Sequence, residues 1–386
     1  MNLDTLKALL DLSHRYQLYN KILNELEKVK NLDFTIYQTY ETSEGIIPLI
    51  TIADNSKLDE VRHVKVFIGA QHNEYNGLFS MLRFFRLLRE ERIKINEVIK
   101  TNQVLFFLPL LNPYGFLNPN ENNKSGYYLK NGTNLNRFWR RAFAPEYKNG
   151  MEDLNKHSTP EQVLIVKKLL QMYWDNEETY MYILDFHETS LLERFPIELS
   201  KNLNSYYKFD HWLKEGMILN IIKLYGIPYY RKPLFFKKNS SADHTHLNLT
   251  HKQFETVFEK LHDYMLKNQG KGKLPFYFCY SDKSREYCLK LANIVYNKLK
   301  EKLWEPYFPG FDHYFHDHGC FVRMSDATPR PRVYSMELES QKHFFNIFEE
   351  IKKSKSDPNY FEKKLNLINV SIELALESIK EMIKLF

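Results

Sequence analysis

The run Val64-Lys65-Val66-Phe67-Ile68 passes directly into Gly69-Ala70-Gln71-His72-Asn73-Glu74-Tyr75-Asn76-Gly77, and this junction limits the folds open to the chain. The apolar run reads as a buried strand. Leu78 to Leu88 then carries apolar residues at helical spacing. A cluster of metal-capable side chains therefore falls where a strand ends and a helix begins. Open α/β sheets bind ligands in crevices outside the carboxyl ends of their strands. Two later segments repeat the arrangement: Asn134-Leu135-Asn136-Arg137 follows the run Val104 to Leu111, and Asp185-Phe186-His187-Glu188 ends the run Tyr180 to Leu184.

The rest of the chain supports a sheet of this kind. Phe34 to Tyr40 and Ile46 to Ile52 suit a hairpin turning at Glu44-Gly45. Val64 to Ile68, Val104 to Leu108, Met181 to Phe186 and Val333 to Leu338 read as central strands, with helices over 76–88 and 160–173. The expectation is an α/β fold, a three-layer α/β/α sandwich around a mixed sheet. Residues 1–30 read as an N-terminal helical segment and 31–340 as the main α/β domain. Within it, 200–320 is expected to be an elaboration walling the site, with helical patterns that include 282–302. The tail, 341–386, reads as two helices broken at Ser356-Asp357-Pro358. Its stripe Leu365, Ile368, Ile372, Leu376, Ile379 and Ile383 is suited to docking on the core.

Composition excludes several classes. Hydrophobic residues make up 43% and aromatics 15% of 386 residues, a globular balance. The net charge of +6 is dispersed and no basic stripe interleaves with aromatics, which argues against nucleic acid. Cys279, Cys288 and Cys320 are odd in number and lack C-x-x-C spacing, so neither a disulfide framework nor a structural zinc knuckle is expected. No run reaches the ~18 apolar residues of a membrane span. Met1 to Leu26 reads as an amphipathic helix rather than a signal peptide, so a cytoplasmic location is expected.

Zinc catalysis needs about three nitrogen or oxygen ligands and an open position for water. Glu74 and His187 are natural ligands at two strand ends. At this point the chain resembles the zinc carboxypeptidase family, the carboxypeptidase A-like hydrolases that also include aspartoacylase-like deacylases. The family pattern is His-x-x-Glu, Asn-Pro-Asp-Gly, Asp-x-Asn-Arg, Asp-x-His and a late catalytic Glu. The corresponding segments are Gln71-His72-Asn73-Glu74, Asn112-Pro113-Tyr114-Gly115, Asn134-Leu135-Asn136-Arg137, Asp185-Phe186-His187 and Tyr334-Ser335-Met336-Glu337-Leu338.

The resemblance implies one Zn2+ ion, held by Glu74, His187 and a first ligand. Gapless matching gives that first place to Gln71; a one-residue deletion would give it to His72. Alternation of side chains along a strand favours Gln71, since His72 would need a rebuilt turn. Asn134 stands where the family has an Asp beside the first ligand, and an amide N–H from Gln71 suits a neutral acceptor there. The family's carbonyl-polarising Arg has no counterpart, and Lys130 is the candidate replacement. Glu337 is the expected general base, with Glu339 as the alternative on the same strand face. Asn136 and Arg137 should bind a substrate carboxylate, Tyr314 should cap the substrate, and Arg323 is a candidate contact for an acidic side chain.

The implied activity is metallocarboxypeptidase hydrolysis of a C-terminal peptide or peptide-like amide bond, acting on a peptide or an acylated amino acid. An N-acyl amino acid deacylase of the aspartoacylase type and a metal-free binding protein on a decayed hydrolase scaffold are the alternatives.

Overall fold

Apolar residues at nearly every position of a strand require cover on both faces, and the four central runs meet that requirement as parallel neighbours. The computed structural model describes residues 1–189 apart from 55, 57–59, 101, 121, 123 and 147–155, then 230–233, 245–248, 273–304, 308–312 and 321–385 apart from 329, 344–346 and 358. Its strands are β1 (Thr35–Thr42), β2 (Gly45–Ala53), β3 (His63–Ile68), β4 (Gln103–Leu108), β5 (Tyr180–Thr189), β6 (Tyr230–Pro233), β7 (Thr245–Asn248), β8 (Phe276–Tyr280), β9 (Phe308–Asp312) and β10 (Val333–Gln341).

Eight of these form one mixed sheet in the order β1-β2-β4-β3-β5-β10-β8-β9, and β6 and β7 form a separate antiparallel pair. β4, β3, β5 and β10 run parallel. β2 and β8 flank them antiparallel. The chain leaves β3 toward β4 on one side and later returns to β5 on the other, which creates a switch point at the carboxyl ends of β3 and β5.

Two apolar cores lie on opposite faces of the sheet. Phe67, Phe107, Leu184 and Leu338 join one, under the helices Leu3–Leu10, Arg15–Glu27, Asn76–Arg89, Arg285–Leu299 and Tyr360–Leu385. Val66, Phe106 and Ile183 join the other, packed with Trp139 and the helix Glu161–Gln171. This is the α/β/α sandwich expected from the sequence. The tail forms helices Ile347–Ser356 and Tyr360–Leu385, and Ile368, Ile372, Leu376, Ile379 and Ile383 are buried in the first core. Among the described residues, no helix is long and apolar enough to cross a membrane.

Residues 273–304 do more than wall a site. Phe-Tyr-Phe-Cys-Tyr of β8 is fully buried and pairs with β10, so this part of the expected elaboration extends the main sheet. The helical pattern at 282–302 becomes the helix Arg285–Leu299.

Candidate metal centre

The turn after β3 decides which side chains reach the crevice. β3 ends at Ile68, and Ala70 has φ +46°, in the left-handed region. Strand alternation therefore stops before Gln71, and the turn brings His72 against Glu74 and Asn134. Backbone bonds from Leu111 N to Gly69 O and Asn112 N to Ala70 O tie the turn to the end of β4. The helix Asn76–Arg89 can start immediately beyond it because Gly77 lies against β5, where an added Cβ would stand 2.6 Å from Phe186 Cβ.

His72, Glu74 and His187 converge, their ligand atoms all lying within 4.8 Å of one another. Glu74 Oε2 is 2.8 Å from His187 Nδ1 and 3.4 Å from His72 Nδ1. Each imidazole is backed on its other nitrogen. His72 Nε2 is 2.9 Å from Asn134 Oδ1, an oxygen identified by the bond it accepts from Asn136 N at 2.8 Å. His187 Nε2 is 2.8 Å from Asp185 Oδ2. Asn134 Oδ1 is an acceptor, so His72 Nε2 carries the proton toward it; His187 Nε2 lies against both Asp185 Oδ2 at 2.8 Å and Gln71 Nε2 at 3.0 Å, and both Nδ1 atoms face Glu74. Outer acceptors of this kind orient metal-ligating histidines.

The electrostatics agree. Burial opposes a charge on His187, but Asp185 and Glu74 outweigh it and hold its pKa well above the ordinary value. Burial likewise opposes the Glu74 carboxylate, yet Lys342, His72 and His187 hold it well below the usual range. A proton must sit between His187 Nδ1 and Glu74 Oε2, and metal uptake at such a site releases protons. Two imidazole nitrogens and a carboxylate oxygen are a zinc donor set, and the residues present fit the ion.

Gln71 is buried, and its Nε2 stands 3.0 Å from His187 Nε2. Its Oε1 accepts from Trp139 Nε1 at 2.6 Å, and its Nε2 donates to Asp185 Oδ2 at 2.8 Å. The expected Gln71–Asn134 contact is replaced by His72–Asn134. The strand has already ended at Ile68, so alternation does not set which of the two side chains meets Asn134. Gln71 instead braces the carboxylate that orients His187.

The remaining candidates divide. Glu337, on β10 opposite Asp185, is buried, and its Oε1 lies 3.9 Å from His187 Nε2. Burial raises its pKa to about 7. Glu339 shares that strand face, and burial holds its carboxyl well above the usual range. Asn136 Nδ2 donates to Glu337 Oε1 at 3.2 Å, while its Oδ1 accepts from Phe321 N at 2.8 Å. Its amide thus holds Glu337 in place. Arg137 is half-buried, with Nη1 on Asn136 O at 2.7 Å.

Lys130 is exposed, with its backbone N–H on Glu44 Oε2 at 3.0 Å, and does not join the cluster. Tyr314 lies outside the described residues, as does the side chain of Arg323, whose backbone belongs to the 3-10 turn Phe321–Arg323. Glu188 is buried and accepts from Tyr75 N and Asn76 N at 3.0 and 2.9 Å, where a carboxylate complements the start of a helix.

Three contributors escaped the sequence reading. Lys342 Nζ lies 2.9 Å from Glu74 Oε1; the available signal was its place just past the strand that carries Glu337. Tyr127 stacks on His72 with centroids 4.0 Å apart. Its loop is brought in by a backbone crossing at Gly115, where an added Cβ would stand 2.2 Å from Gly126 O. Trp139 gave no sequence signal beyond its hydrophobicity.

No family model and no curated protein sequence matches the chain. Solved structures similar to it include a metallo-carboxypeptidase from Burkholderia cenocepacia, at 11% identity over 93% of this chain and 68% of that one, with a TM-score of 0.44. Carboxypeptidase A from Helicoverpa armigera is 13% identical over 94% of this chain and 73% of its own, with a TM-score of 0.43. Bovine thrombin-activatable fibrinolysis inhibitor, in complex with tick carboxypeptidase inhibitor, is 11% identical over 96% of each chain, with a TM-score of 0.44. Superpositions this loose carry no argument about activity.

Proposed function

We propose that this chain is a zinc-dependent metallocarboxypeptidase that removes a C-terminal residue from a peptide or peptide-like substrate. The observation that carries this reading is the convergence of His72, Glu74 and His187, with Asn134 and Asp185 behind the two imidazoles. A zinc ion held there would supply Lewis acidity, acidifying a water and polarising the scissile carbonyl.

The protein's own groups have distinct tasks. Glu337 is the general base: its carboxylate accepts the water proton and later returns it to the leaving amine. A pKa raised to about 7 suits both halves of that exchange near neutral pH. Asn136 keeps the acting oxygen in position through its amide. Arg137, within electrostatic reach of Glu337, is the group for a substrate carboxylate, which a guanidinium can bind through two parallel hydrogen bonds.

The test is hydrolysis of N-acylated dipeptides with free or amidated C-termini by zinc-loaded protein. The free acid is expected to be cleaved, and Arg137→Ala should raise its KM while leaving the slow amide reaction unchanged. Equal handling of acid and amide, before and after the substitution, would remove the exopeptidase reading.

A further inference from the structure

Lys342 is 7% exposed, and it reaches the centre from just beyond β10. Its Nζ lies 2.9 Å from Glu74 Oε1 and 4.9 Å from the centre of the Tyr127 ring, the ring that stacks on His72. The Glu74 carboxylate is therefore divided. Oε1 is held by Lys342, while Oε2 faces Nδ1 of His187 and of His72 at 2.8 and 3.4 Å.

An ammonium buried this deeply is costly unless an opposite charge and further contacts compensate it. Glu74 supplies the charge and the face of Tyr127 the second contact. The same pairing has a consequence for an incoming cation. Glu74 is already neutralised, and a second positive charge stands one carboxylate away from the donor atoms. The attraction that a divalent ion would gain from an unpaired buried carboxylate is thereby reduced.

We propose that Lys342 is a positioning residue of the metal centre, with two effects. It reserves Oε1 so that Glu74 offers only Oε2 to the ion, and it serves as the counter-ion of Glu74 in the metal-free protein. The metal-free site is then a stable state, and the ion is held less tightly than its donor set alone would allow. The inference rests on the reading of His72, Glu74 and His187 as the metal ligands.

The experiment uses the full chain stripped with a chelator. Zinc affinity is measured by competition with a chromophoric chelator, and the Tm of the metal-free protein is measured separately. Lys342→Met is expected to tighten zinc binding at least tenfold and to lower the metal-free Tm by about 5 °C or more, because it leaves Glu74 Oε1 buried without its ammonium partner, with only the imidazoles at Oε2. Unchanged or weaker zinc affinity in Lys342→Met, beside a wild type that binds zinc, would overturn the inference and leave the ligand reading standing. A wild type that takes up no zinc would overturn the ligand reading and the inference together.

Where Lys342→Met fails to fold, Glu74→Gln and the double variant Glu74→Gln/Lys342→Met give the same answer. In the neutral background Lys342 has lost its counter-charge, so its removal should raise the metal-free Tm. A double variant no more stable than Glu74→Gln would overturn the pairing.

Discussion

Lys65 in the parallel sheet and Lys342 just beyond it are both buried lysines, and their surroundings differ in kind. Lys65, in the first half of β3, donates to Gln103 Oε1 and Ile383 O, each at 2.8 Å. Both acceptors are neutral, and burial, with Lys100 nearby, pushes its pKa down to about 6. Lys342, past the end of β10, meets the Glu74 carboxylate, and its pKa rises although burial opposes it. Lys65 caps the last turn of the helix Tyr360–Leu385, where free carbonyls favour a donor. Lys342 belongs to a set of ionised groups facing a crevice. Burial beside neutral acceptors thus lowers a lysine's pKa in this molecule, and burial beside a carboxylate raises it.

Several substitutions would break or sharpen this contrast. The largest effect is expected at the carboxyl ends. Glu337→Gln should lower turnover by about 10² to 10⁴ while zinc content and Tm stay at wild-type values, because the carboxylate carries a proton and is not a ligand. Wild-type turnover in that variant would move the role to Glu339 or remove it. Asp185→Asn should weaken zinc binding by about 10- to 100-fold, since His187 then loses the carboxylate that orients it. Undiminished affinity would mean that Asp185 and its brace Gln71 are structural.

A smaller effect is expected at the opposite end of the sheet. Below pH 6 Lys65 is charged in both folded and unfolded chains, and the burial penalty is fully present. Between about 6 and the ordinary value of 10.5 the unfolded chain binds a proton that the folded one does not, so stability rises with pH. Urea unfolding of wild type and Lys65→Met should therefore show a difference that moves in favour of wild type from pH 6 to 9, by about 1.4 kcal/mol per pH unit at most. A pH-independent difference would mean that Lys65 stays charged like Lys342, and the contrast would fail.

The central strands were legible because each is an apolar run bounded by turn residues, and both faces of each one are covered. β8 was harder to see, since Phe-Tyr-Phe-Cys-Tyr follows a Gly- and Lys-rich break and is short enough to suit a loop. At the site, residue types at strand ends pointed to Glu74, His187 and Glu337. Which of Gln71 and His72 meets Asn134 was not legible, because it turns on one left-handed residue, Ala70, for which periodicity gives no cue. Lys342 and Tyr127 were hidden for a related reason: they reach the crevice from loops, and only tertiary packing brings them to Glu74 and His72.

The central claim is that His72, Glu74 and His187 form the metal set while Gln71 supports it from behind, and zinc affinity of two single variants tests it most directly. His72→Ala should lose zinc binding by at least about 100-fold, since it removes one of the three donors brought together among the described residues. Gln71→Ala should lose about tenfold or less, since Asp185 keeps its contact with His187. The reverse order, with Gln71→Ala abolishing zinc binding and His72→Ala retaining it, would contradict the account.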